Sequence, residues 1–287
     1  MTVEAQQPTQ GRPKQGLGRR QRARLSRGIQ YTVLVVVALL AAFLADWAAI
    51  AKAFFNVDVA MAQFPEIITL ALRNTIIYTA LGFGFGLGLG IVLALMRLSS
   101  VGPYRWIATA YIEFFRGLPA LLVFVVLGFG VPIAFQIRFD IYSTAMLALG
   151  LVGAAYIAET IRAGVQAVPP GQIEAARSLG MSPMRTMVTV TMPQAFRIIL
   201  PPLTNELILI TKDSSLIYLL GLANSQYELA KFGRAALTEH ESLTPLLIAG
   251  LCYLVITVPL SRVSDLLERR YVKGTASKSG RTNGGKA

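Results

Sequence analysis

Four residues that can bind or carry charge stand close together in an otherwise apolar stretch: Asn205, Glu206, Lys212 and Asp213. On a helix turning about 100° per residue they fall within an arc of about 120°, interrupted by Leu209. Each polar side chain at mid-membrane depth costs roughly 2.5–3.5 kcal/mol on insertion scales, so such residues face a cavity or a partner. Two chemistries fit. The arc is either a wall of a path for a polar solute, or a network in which Lys212 pairs with an acid and fixes helix geometry. The residues alone leave both open. Two further acid–base pairs, Glu159/Arg162 and Glu113/Arg116, have the i, i+3 spacing of structural ion pairs on a helix surface.

A second unusual stretch is Pro169-Pro-Gly-Gln-Ile-Glu-Ala-Ala-Arg-Ser-Leu-Gly180, inside a polar interruption of roughly thirty residues, Val168 to Leu200, flanked by apolar sequence. Pro169, Pro170 and Gly171 end the preceding helix, Gln172 to Leu179 form about two turns, and Gly180 stops them. Ser182 and Pro183 read as the cap and first position of another short helix through Val190, ended by Pro193. Ala175, Ala176 and Leu179 give the first helix a small, shallow apolar face with no Trp or Phe to anchor it in lipid. Helices this short are marginal alone, so the face is expected to dock on another protein.

These groups must be positioned by membrane helices. Of 287 residues, 54% are hydrophobic and only 15% charged, against about 25% charged in soluble domains. Apolar runs are continuous, not alternating, so the chain reads as an all-α polytopic membrane protein and not a β-barrel. The net charge of +12 sits in the tails: seven basic residues against Glu4 in residues 1–28, and seven against Asp265 and Glu268 in residues 261–287. That placement is the positive-inside signature and not a nucleic-acid surface, and it puts both termini in the cytoplasm, with some attraction to anionic membrane lipid. Six spans satisfy the even count: about 29–50, 68–96, 111–135, 141–165, 198–222 and 243–261. Residues 1–28 read as a disordered basic tail, 29–50 as an additional first helix retained in the chain, 168–197 as a cytoplasmic loop, and 265–287 as a second basic tail.

The glycine run Gly82–Gly90 is not a nucleotide loop, because it lacks both the acidic residue of a dinucleotide fold and the Gly-Lys-Ser/Thr end of a P-loop. Gly82, Gly86 and Gly90 share one helix face and Gly84 and Gly88 the opposite one, a spacing that brings helices together. One cysteine, Cys252, and one histidine, His240, offer too little for a metal cluster or a nucleophile–base pair, so no catalytic residue and no metal ligand is expected. Cys252 is read as packing and His240 as solvated.

Glu174-Ala175-Ala176, three residues, Gly180, and then Met192-Pro193 resemble the EAA loop of ABC importer permeases, with Val190 and Met192 standing for the usual Ile and Leu. Phe115-Arg-Gly-Leu-Pro119, Tyr156-Ile-Ala-Glu159, Met192-Pro-Gln-Ala195 and Lys212-Asp-Ser-Ser-Leu216 make residues 68–264 similar to the group serving polar amino acids: histidine, glutamine, glutamate, arginine and cystine. Leu118 and Ser214 depart from that group's threonines. The resemblance implies the transmembrane domain of a type I importer, working by alternating access in the cytoplasmic membrane of a prokaryote. It further implies that Gln172, Glu174, Ala175, Ala176, Leu179, Gly180 and Pro193 form a coupling helix seated on a separate ATPase subunit. The implied partners are a pair of ATPase subunits that hold ATP and Mg, a second permease, identical or homologous, and an extracytoplasmic substrate-binding protein. No cofactor is expected on this chain. An ion-gradient transporter or channel is the rival reading, but it predicts inverted repeats that the two halves lack.

Overall fold

A computed structural model describes residues 19–271. Most of the tail expected to be disordered, residues 1–18, and the final residues 272–287 lie outside the described residues. Contacts divide the chain near Ala51 into two units.

The first unit holds α1 (Arg19–Leu44) and the start of α2 (Trp47–Phe54). The first helix is already formed at Arg19, ten residues before the expected start: its arginines tolerate helix and carry the rod beyond the apolar span Ala23–Leu44. It also stops sooner, because the Asp46 carboxylate accepts from Ala49 N at 2.9 Å and opens a new helix.

In the second unit follow α3 (Val57–Ala62), a wide π-type turn at Ile67–Leu72, and α4 (Arg73–Leu98). Then come α5 (Gly102–Gly117), α6 (Ala120–Val125) and α7 (Val131–Phe135), with α8 (Ile141–Gln166) behind them. The segment expected to couple is α9 (Pro170–Ser178) and α10 (Pro183–Thr186), leading into α11 (Met192–Asp213). The 3₁₀ segments Ser214–Leu220 and Asn224–Gln226, α12 (Leu229–His240) and α13 (Thr244–Tyr271) complete the described residues.

Four described helices are long and apolar enough to cross a membrane: Ala23–Leu44, Ile67–Leu98, Ile141–Gln166 and Thr244–Tyr271. A fifth crossing requires counting α5 with the segment Ala120–Phe135, and these meet at a bend of 102°. The expected straight span 111–135 is thus broken. Pro119 forces Leu118 out of the helical region, to φ −97° and ψ 138°. The expected span 198–222 is also altered: α11 is about 33 Å long, enough to cross, but it carries Arg197, Glu206, Lys212 and Asp213 and is less apolar than the four helices above. It ends at Asp213, and Gly221 closes the following 3₁₀ turn at φ 67°. The last helix runs on to Tyr271, through the first residues of the basic tail.

Pro193 does not end a helix, contrary to the reading of the loop. It is the second residue of α11, and a π-type turn at Met187–Thr191 joins α10 to α11 without a break.

The core is the pairing of α4 with α8. A Cβ at Gly82 would stand 2.5 Å from Leu149 Cβ, one at Gly86 3.2 Å from Gly150 O, and one at Gly90 2.8 Å from Ile157 Cγ2. Gly150 answers from α8, its open side filled by Phe85. The second glycine face is different: nothing lies within 4 Å of a Cβ at Gly84 or Gly88. Gly82→Leu is expected to lower stability by about 1–3 kcal/mol through overpacking, read as earlier thermal unfolding in detergent. Gly84→Leu should stay within about 1 kcal/mol of the parent.

Candidate translocation pocket and coupling surface

The bend at Leu118–Pro119 opens a cavity of about 320 Å³ between α6, α8 and α11, lined by Leu118, Pro119, Phe124, Tyr156, Glu206 and Asp213 among others. Glu206 and Asp213 lie two turns apart on α11, so one helix face delivers both carboxylates to an otherwise apolar chamber. Tyr156 carries the Arg116 guanidinium 5.6 Å above its ring, and that guanidinium also acts electrostatically on Glu206. The chamber can therefore offer a mobile polar solute acidic groups, an aromatic face and a nearby cation.

The four-residue arc does not stay together. Asn205 turns to α13 and accepts from Ser264 Oγ at 3.0 Å, while the same hydroxyl reaches Pro201 O at 3.1 Å. Lys212 is exposed, and no ion pair among the described residues joins it to Glu206 or Asp213. The clamp reading of Lys212 thus has no close contact behind it.

Below the chamber, Glu159 and Arg162 pair as the spacing predicts, through both carboxylate oxygens, and Arg162 also binds Gln166. Glu113 does not pair with Arg116. It lies 3.9 Å from Arg97 Nη1 on α4, which is equally 3.9 Å from Glu159. Arg97 Nη1 is enclosed and makes no hydrogen bond. The reason is geometric: the α4–α8 contact carries Arg97 between the two acids, while Arg116 is drawn to Tyr156.

Helix α9 ends as its glycine demands. Gly180 adopts φ +81°, Met181 N reaches back to Ala176 O at 3.2 Å and Gly180 N to Arg177 O at 3.0 Å, a Schellman closure. Ser182 Oγ caps α10 from Arg185 N at 3.3 Å. The apolar face is divided. Ala176 is buried, whereas Ala175 is exposed and Leu179 is 85% exposed, alongside exposed Gln172 and Glu174. A groove of about 330 Å³ beside them runs past Val168, Ile173, Glu174 and Met187.

One polar group escaped the sequence reading. Asn74 Nδ2 binds Ser225 O and Tyr227 O at 3.0 and 2.9 Å, Tyr78 OH donates to Gln226 O at 3.0 Å, and Thr75 Oγ1 accepts from Leu229 N at 3.1 Å. At its centre Glu228 is fully buried at the start of α12, and burial pushes its carboxyl up to about 7. The signal was present: Asn74, Thr75 and Tyr78 are polar residues on adjoining turns of an apolar span.

Residues 86–273 match the family described as binding-protein-dependent transport system inner membrane component. The chain belongs to this family. The permease is 38% identical over 179 residues to the arginine transport system permease protein ArtQ of Bacillus subtilis (62% of this chain, 80% of the relative). It is 35% identical over 200 residues to the probable glutamine ABC transporter permease protein GlnM of the same organism (70% and 91%). Its fold matches that of an amino acid ABC transporter crystallised with histidines, with TM-score 0.67, 34% identity and coverage of 74% of this chain and 97% of that one. The permease is thus a multi-pass, helical ABC-importer subunit whose role is transport and not catalysis, and the ion-gradient alternative falls away.

Two acids flank Arg97, but they are not equivalent. Glu159→Gln on the permease leaves Arg162 one neutral acceptor in place of two charged ones and removes one of the two acids beside Arg97, and is expected to cost about 1–3 kcal/mol. Glu113, with a side chain 65% exposed, should cost less than about 1 kcal/mol when changed to Gln. Thermal unfolding of both variants in one detergent checks the order.

Proposed function

We propose that this permease subunit carries a polar amino acid inward across the cytoplasmic membrane. The observation that carries the reading is the chamber holding Glu206 and Asp213 against Tyr156, in a chain whose relatives are named for arginine and glutamine transport. Glu206 meets the α-amino group or a basic side chain of the solute, Asp213 stands one step further along α11, and Leu118–Pro119 forms the opposite wall. A carboxylate facing a hydrated chamber is tolerated in a membrane protein for such a use. Asn205 and Lys212 contribute through helix packing and surface charge, not through the chamber.

ATP and Mg are held by a pair of separate ATPase subunits. The α9 surface of Gln172, Glu174, Ala175 and Leu179 seats on them, Ala176 and Gly180 hold its shape, and Pro193 starts the helix that leads to the chamber. A second permease, identical or homologous, pairs with this one, and an extracytoplasmic binding protein delivers the solute. ATP must bind one conformation more tightly than the other for this cycle to run. Both termini face the cytoplasm, as the basic residues at either end of the chain require.

Affinity purification from cells should bring down an ATPase subunit with the permease, and the reconstituted complex should take up radiolabelled L-arginine or L-glutamine. Glu206→Gln should leave assembly intact and change the ratio of the two uptake rates. Full assembly with an unchanged ratio would count against Glu206 as a contact. Gly180→Val places a β-branched residue at φ +81°, a strain of about 1–2 kcal/mol. The ATPase should still be bound, but its hydrolysis should no longer drive uptake. Normal uptake by the assembled Gly180→Val complex would remove the coupling role.

A further inference from the structure

Glu228 is enclosed on every side, yet the transport reading gives it no task. Its Oε1 accepts from Lys231 N at 2.7 Å, and its Oε2 accepts from Ala230 N at 2.6 Å and from Tyr253 OH at 3.1 Å. Three donors and no acceptor surround it, which is an environment shaped for the anion. The side chains of Thr75 and Ser214 also act on the Tyr253 hydroxyl. Thr75 accepts from Leu229 N and donates to Ala71 O at 2.9 Å. Ser214, itself fully buried, donates to Thr211 O at 2.7 Å and follows directly on Asp213, which lines the chamber. A line of polar groups therefore runs from the start of α12, through α13, to α4 and to the end of α11.

The ionisable groups around Glu228 come from each packed element. Lys231 on its own helix acts on it, with Nζ 5.5 Å over the Tyr227 ring; Tyr253 reaches it from α13, and Tyr78 interacts with it electrostatically from α4. Burial outweighs the pull of the donors and brings its titration to about 7, where a change of external pH can alter it.

We propose that Glu228 is a positioning residue for transport whose protonation, from the outer solution, is relayed through Tyr253 to the end of α11. When a proton adds to Oε2, that oxygen must donate where it had accepted, and the only partner able to reverse is Tyr253. Its hydroxyl then accepts from Glu228 and turns its own hydrogen to Thr75 or Ser214. No bond to carbon changes; one proton enters and the Tyr253 hydroxyl hydrogen reorients. Ser214 gains a donor, and the turn that fixes Asp213 at the chamber is held differently. This rests on the transport reading above.

Linkage gives the sign for stability. The folded chain holds the Glu228 proton more tightly than the unfolded chain, where glutamate titrates near about 4.3. This contribution to stability is therefore full below about pH 4.3 and is lost as pH rises through about 7.

The test uses the reconstituted complex with the lumenal pH fixed and the external pH varied between about 5.5 and 8.5, bracketing the titration. Uptake of radiolabelled L-arginine and L-glutamine by the parent should change several-fold with a midpoint near 7. Glu228→Gln should flatten that profile. Tyr253→Phe removes one donor to the anion and should move the midpoint upward by about one pH unit. In parallel, infrared titration of the purified complex should show a protonated carboxyl band that vanishes near 7 in the parent and is missing in Glu228→Gln. A flat parent profile, an unchanged midpoint in Glu228→Gln, or no such band overturns the proposal. If neither amino acid is taken up at any pH, the transport reading fails, and the infrared band with its Tyr253→Phe shift still decides the proton switch.

Discussion

Where α4 and α8 cross, they meet backbone to backbone, and the rest of the second unit hangs on that contact. Gly86 faces the Gly150 backbone, Gly82 and Gly90 make room for Leu149 and Ile157 of α8, and Gly150 receives Phe85 in return. In lipid, where apolar burial gives no drive for helix association, such close approach supplies dispersion contact that bulkier residues forbid. The consequences reach both ends of α8. Its middle brings Leu149, Gly153 and Tyr156 to the chamber, its lower third sets Glu159 beside Arg97, and its last turns enter the cluster of Val165, Val168, Ala195 and Ile199 beneath the coupling helix.

A second constraint explains the polar collar. Backbone that leaves the helix still carries N–H and C=O groups that need partners. Residues 221–228 are such a stretch. Asn74 covers two of its carbonyls, Tyr78 a third, and Gln226 Oε1 covers Ala223 N at 3.1 Å. Glu228 then takes the first free N–H groups of α12. Asn74, Thr75 and Tyr78 near the start of α4 each answer a backbone group of this segment or of the first turn of α12.

Patterns that depend on local chemistry were legible in the sequence. The α9 stop at Gly180, the Ser182 cap, the packing role of Gly82, Gly86 and Gly90, and the Glu159–Arg162 pair all follow from neighbours within a few residues. What failed depended on distant partners or on rules with two outcomes. Pro193 was read as a helix end, yet proline is equally at home in a first turn, and the preceding π-type turn decided for continuity. Glu113 was matched with Arg116 by spacing, but α4 delivers Arg97 across the bundle. Asn205 shared an arc with Glu206, and only the arrival of Ser264 from α13 showed that the arc splits. Asn74, Thr75 and Tyr78 looked like blemishes in a span because their partners lie about 150 residues away.

The continuity past Pro193 has a mechanical meaning. From Pro183 to Asp213 the chain stays helical, with a π-type turn at Met187–Thr191 and prolines at 193, 201 and 202. One rod therefore joins the base of the coupling segment to the carboxylates of the chamber. Near its lower end it presses on α8 where Gly164 lets Ile199 approach too closely for any Cβ. Pro201 and Pro202 mark the point of least stiffness, since each removes a ladder bond, and Ser264 from α13 takes up Pro201 O there. A displacement at Ser182 has no flexible linker in which to dissipate before it reaches that point. Above it, the rod can tilt Glu206 and Asp213 together, because they share one face two turns apart. A helix broken at Pro193 would have separated the base of that segment from the chamber; the unbroken rod ties it to the two acids that line the cavity.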